Sequence, residues 1–182
     1  MAAEPVADVS QMPRVPATPR AAILLVHGRT WSSRPDFDLQ VPGLKRSVMQ
    51  SLSDRGIAAY AVDLRGYGQT PRDASGFTTP NRAAADVAEV LKWIAARHPS
   101  LEKPALLGWS NGGVVSQHVA QTQASLLSSV ILFGYTPETS YRVVPAPAPR
   151  VAPKTKNTTD AAISDFIAPS VTPPVAGALL RA

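Results

Sequence analysis

The 182-residue chain is long enough for one domain, and with 45% hydrophobic residues and no cysteine it allows a sizeable core while excluding disulfides, thiolate zinc sites and a thiol nucleophile. Its net charge of +5 is carried by scattered Lys and Arg without basic runs or aromatic interleaving, so nothing in it favours a nucleic-acid partner. No apolar stretch reaches the roughly 18 residues of a membrane span, and Met1–Arg20 lacks the apolar core of a secretory leader, which leaves a cytoplasmic setting as the default expectation.

Proline divides the chain. Four of the 18 prolines fall in residues 1–20, eight follow Tyr135 and six lie between. The expected organisation is a Pro-rich segment over 1–20, a folded core over 21–135 and a second Pro-rich segment over 136–182. The flanks read as extended or loosely structured chain.

Within the core, Ala21–Val26 is a continuous apolar run, the pattern of a strand buried on both faces of a parallel sheet. It ends in His27-Gly28-Arg29-Thr30-Trp31. Leu44, Val48 and Leu52 recur every four residues ahead of Gly56, which predicts a helix with that apolar face. Ile57–Val62 is a second buried run and ends in Asp63-Leu64-Arg65-Gly66-Tyr67-Gly68. Thr79 followed by Pro80 reads as an N-cap with proline at the first helical position. Ala83, Val87, Val90, Leu91 and Ile94 then line one face of a helix that stops before Pro99. Pro104–Leu107 is the third predicted strand. A helix from Val114 follows, with Val114, Val115, His118, Val119 and Thr122 on one face, and Val130–Phe133 is the fourth strand.

Between the third strand and its helix stands Gly108-Trp109-Ser110-Asn111-Gly112-Gly113. This is G-x-S-x-G in strand–turn–helix context, the spacing of a nucleophile elbow. A serine there needs a sharp, strained turn to lift its hydroxyl clear of the sheet. Glycines two residues before and after it remove the Cβ atoms that would clash. The alternation of strand and helix gives a parallel sheet with helices on both faces. It also gathers the loops His27–Trp31, Asp63–Gly68 and Gly108–Gly112 on the rim at the strands' carboxyl ends, where such sheets bind ligands.

Those three motifs, in that order, resemble the α/β-hydrolase family, in particular its serine esterase, lipase and acyl-hydrolase members. The resemblance covers about residues 21–135. It implies a three-layer α/β fold, a parallel sheet with flanking helices, incomplete at its C-terminal side. It implies Ser110 as nucleophile toward a small-molecule carboxylic ester or related acyl substrate, without cofactor or metal. Oxyanion-hole amides are then expected from Asn111 and Arg29. His27 is expected to shape the first loop and not to act as base. Trp31 and Trp109 flank the site, either as walls of an acyl pocket or as ordinary core aromatics. Asp63, Arg65 and Gly66 read as loop scaffold, with Arg65 paired.

The sequence departs from the family in its base. After Ser110 the only histidine is His118, eight residues along the helix and roughly 12 Å away at 1.5 Å per residue. His98 ends a helix at the opposite rim. For the acid, Glu138 is the nearest candidate, ahead of Asp160 and Asp165. The segment 136–182 resembles the beginning of a lid. The expectation is a serine hydrolase scaffold whose acid and histidine lie outside these residues. The alternatives are a non-catalytic hydrolase-like binding protein and an inactive fragment.

Overall fold

A computed structural model describes residues 13–29, 31–74, 78–135, 158, 175 and 177–179. Its four strands are β1 (Ala21–Val26), β2 (Ile57–Val62), β3 (Ala105–Trp109) and β4 (Val130–Phe133). They form one parallel sheet in the order β2-β1-β3-β4. The helices are α1 (Ser33–Phe37), α2 (Val48–Ser53), α3 (Pro80–Arg97) and α4 (Asn111–Thr122). At the outer edge of β2, Arg14 makes an antiparallel bridge, with Arg14 N–H donating to Ala59 O at 2.9 Å and Ala59 N–H to Arg14 O at 3.0 Å. Its guanidinium also pairs with Asp38 at 2.9 Å.

Because side chains alternate along a strand, each apolar run feeds two layers. Ala22, Leu24 and Val26 of β1, with Ala58, Tyr60 and Val62 of β2 and Leu106 of β3, face α3 and α4. Ile23 and Leu25, with Ala59 and Ala61, face Phe37 of α1 and Met49 of α2. α3 follows its sequence: Thr79 Oγ1 accepts from Arg82 N–H, Pro80 opens the helix, and Ala83, Val87, Val90, Leu91 and Ile94 are all buried. Each of the four larger side chains contributes about 1.5–3 kcal/mol of burial.

Four expectations change. α2 starts at Val48 because Ser47 caps it, its Oγ accepting from Gln50 N–H at 2.8 Å. Leu44 therefore lies outside the helix in a tight turn, both Leu44 and Val48 are exposed, and Met49 is the residue driven into the core. β3 runs on through Gly108 and Trp109, since both keep their parallel register with β4. α4 begins at Asn111 rather than Val114. Its contact surface is also narrower than predicted: Val115 and Val119 are buried, Val114 and His118 are only half-buried, Thr122 is exposed, and Gly112, Gly113 and Ser116 supply the rest. Finally, α1 had no counterpart in the sequence reading.

Candidate active site

Ser110 sits at φ 51° and ψ −116°, between the last residue of β3 and the first of α4. Among the described residues it is the only non-glycine with positive φ. Such a conformation costs on the order of 1–3 kcal/mol and persists only where its surroundings enforce it. Here they do. Ser110 N–H donates to Phe133 O at 3.0 Å, tying the turn to β4, and Gly113 N–H donates to Ser110 O at 2.9 Å. A Cβ on Gly108 would overlap Gly112 O and Ser116 Oγ, and one on Gly112 would overlap the Val26 carbonyl and stand 2.7 Å from His27 O. The two glycines thus let α4 close down on β3 and β1 at once. Ser110 makes no side-chain capping bond. Its hydroxyl is not spent on the helix N-terminus, whose first N–H groups lack intrahelical partners and favour negative charge.

The loop after β1 presses against this turn. A Cβ on Gly28 would lie 3.2 Å from Ser110 Cβ and 3.3 Å from the Trp109 ring. His27, 1% exposed, lies beneath the loop: Leu64 N–H donates to its Nε2 at 3.1 Å, so Nδ1 carries the proton and donates to Gly28 O at 2.8 Å. Burial holds its pKa below the ordinary 6.5, against smaller upward pulls from the Gly28 carbonyl and Asp63. A neutral ring bonded at both nitrogens is loop framework. Arg29, the next residue, is exposed, and Asn111 opens α4 directly after Ser110.

The loop after β2 supports the first. Asp63 Oδ1 accepts from Ser33 N–H at 2.8 Å and its Oδ2 from Gln69 N–H at 3.2 Å. Gly68 passes so close to that carboxylate that any Cβ would collide with it. Arg65 grips Asp86 of α3 with Nε to Oδ2 at 2.6 Å and Nη2 to Oδ1 at 2.9 Å. The Tyr67 ring packs at a tilt of 56° against His27 with centroids 4.8 Å apart.

Trp31 and Trp109 come together in the wall of one cavity of about 500 Å³, with Phe37, Leu107, Phe133 and Leu179. It opens on the α1–α2 face of the sheet. The sequence reading missed α1 and with it Phe37 and Asp36; a five-residue helix is too short to display a period. Leu107 and Phe133 were legible as strand residues, and their alternation with Trp109 and Ile131 was the available signal for a shared face.

The remaining histidines lie elsewhere. His98 Nε2 is 2.7 Å from Tyr60 Oη, and His118 is within α4. Glu138 falls outside the described residues. Among the described residues no three His, Cys, Asp or Glu side chains cluster to hold a metal, and no helix is long and apolar enough to cross a membrane.

A parallel sheet with helices on both faces and a strained serine turn after its third strand define an α/β-hydrolase. The solved structures agree on the fold: a carboxyl esterase from Bacillus coagulans superposes with a TM-score of 0.54 at 22% identity, over 66% of this chain and 37% of that one. The α/β-hydrolase GrgF from Penicillium sp. sh18 does so with a TM-score of 0.53 at 17% identity, over 66% and 39%. The family model "serine aminopeptidase, S33" matches residues 17–163, and the chain belongs to that family. In sequence it is similar to serine hydrolase BPHL from Mus musculus, 30% identical over 115 residues, or 62% of this chain. That match spans 35% of the relative, so the chain accounts for about a third of its length.

Proposed function

We propose that this chain carries the nucleophile and oxyanion half of a serine hydrolase acting on a carboxylic ester or related acyl compound. The Ser110 Oγ attacks the acyl carbon and gives up its proton to a base. The tetrahedral oxyanion is held by the N–H groups of Asn111 and Arg29. Collapse expels the protonated alcohol, and water then hydrolyses the acyl-serine. The Trp31 and Trp109 rings flank the acyl group on its apolar side. The observation that carries this reading is the φ of 51° at Ser110. A strained serine held by three neighbouring segments serves no packing purpose. The reading requires a histidine from outside these residues, because His27 is bonded at both nitrogens, His98 faces Tyr60 and His118 is about 12 Å along the helix.

The apolar cavity lined by Trp31 and Trp109 also fits a second reading, a hydrolase-like protein that binds a small molecule without turning it over. A serine-directed fluorophosphonate and p-nitrophenyl butyrate separate the two. The expected result is slow turnover, within the 10³–10⁴-fold over water that an intact oxyanion site sustains without a full triad, together with covalent labelling lost in Ser110→Ala. Saturable ester binding with no covalent labelling supports the second reading. Labelling undiminished in Ser110→Ala rejects the first.

A further inference from the structure

Gly28 has no side chain to limit its backbone, so the direction of the next amide, Arg29 N–H, depends on what holds the peptide groups on either side of Gly28. One hold is the His27 ring on the Gly28 carbonyl, at 2.8 Å. The peptide between Gly28 and Arg29 is planar and trans, so fixing that carbonyl fixes Arg29 N–H in the opposite direction. The other hold comes from α1. Gly28 N–H donates to Asp36 Oδ2 at 3.1 Å. A five-residue helix does not persist unaided, and α1 is itself anchored: Ser33 Oγ donates to Val62 O at 2.6 Å and Ser33 N–H to Asp63 Oδ1 at 2.8 Å. The carboxylate is therefore presented from the end of β2 back to the end of β1.

Resting on the reading of Ser110 and Arg29 given above, we propose that Asp36 is a positioning residue of the oxyanion site. By holding the Gly28 N–H while His27 holds the Gly28 carbonyl, it fixes both peptide planes around Gly28 and hence the direction of the Arg29 N–H. A carboxylate suits this task because a charge-assisted bond is roughly twice as strong as a neutral one. Asp36 also lines the cavity beside Trp31 and Phe37, so the same bond keeps its charge engaged at an otherwise apolar wall.

The test is the rate of fluorophosphonate labelling at Ser110 in the wild type, Asp36→Ala, Asp36→Asn and a control, Leu91→Ala, which destabilises the core on the sheet face opposite α1. Losing an oxyanion donor costs about 10²–10³ in rate, so a misdirected one is expected to slow Asp36→Ala by about tenfold or more. Asp36→Asn keeps a carbonyl acceptor and is expected within about threefold of wild type, with Leu91→Ala labelling at the wild-type rate. If Asp36→Ala does not fold, Asp36→Thr, whose hydroxyl is too short for the same reach, takes its place. Wild-type labelling rates in the alanine or threonine variant, equal slowing in Asp36→Asn, or equal slowing in Leu91→Ala each overturn the role of Asp36 while leaving Ser110 standing. Labelling that does not depend on Ser110 overturns the reading of Ser110 and this inference with it.

Discussion

The two faces of the sheet are built from the same strands and end up very different. On one, α3 lays five apolar positions over β1 and β2, and α4 comes so close that two glycines are required beneath it. On the other, two helices of five and six residues cover β1 and β2 with Phe37 and Met49, and among the described residues the ground over β3 and β4 is left as a cavity. Phe133 is 63% exposed there. The register puts it beside Trp109, and Ile131 beside Leu107. The difference teaches a division of labour. The crowded face fixes where the elbow stands, and the open face leaves room beside it.

The strongest way to break this comparison is to cut equally into both faces. Leu91→Ala, at 0% exposed under α3, is expected to cost about 2–5 kcal/mol in urea unfolding, whereas Val48→Ala, 42% exposed on α2, stays within about 0.5 kcal/mol. Equal losses would mean that the open face carries as much of the stability as the crowded one. A smaller effect tests what the crowded face is used for. Ser110→Gly releases the positive-φ strain and is expected to raise stability by about 1 kcal/mol while abolishing labelling. Lower stability in that variant would show that the turn is comfortable for serine.

The smallest effect lies at the rim the two faces share. Burial keeps the folded His27 ring neutral below its ordinary pKa of 6.5, whereas the unfolded chain takes up the proton as pH falls through that value. The unfolded state then binds more protons, so stability falls on acidification through this window and levels off below the folded ring's own pKa. Urea titrations at about pH 7.5 and pH 5.5 should show this loss. His27→Gln, which removes the titrating ring, should shrink it; an unchanged loss would assign the proton elsewhere.

Much of the fold was legible because long or unbroken patterns have few alternatives. The runs Ala21–Val26 and Ile57–Val62 have no polar residue to suggest anything but buried strand, and Thr79-Pro80 marks a helix start twice over. The serine turn was legible because its glycines answer a steric demand visible in the spacing. What stayed hidden was set by tertiary contact. Met49 displaced Val48 from the core because Ser47 claimed the cap, which no four-residue repeat reveals. Asp36 gained its partner only when α1 folded back to β1. Trp31 and Trp109 were read as site-flanking, yet their common cavity depends on Phe133 and Leu179 arriving from other parts of the chain.

One property of the serine turn reaches further. Residue 110 contributes nothing of its own side chain to holding the bend: the bonds run through its backbone and the close approaches belong to Gly108 and Gly112. The perch thus owes nothing to a hydroxyl, and any side chain there carries the same positive-φ cost that only glycine escapes. A cysteine or an aspartate placed there meets the same backbone bonds in the same half-buried position at the end of β3, so the group presented can change by single substitution while the scaffold is left untouched.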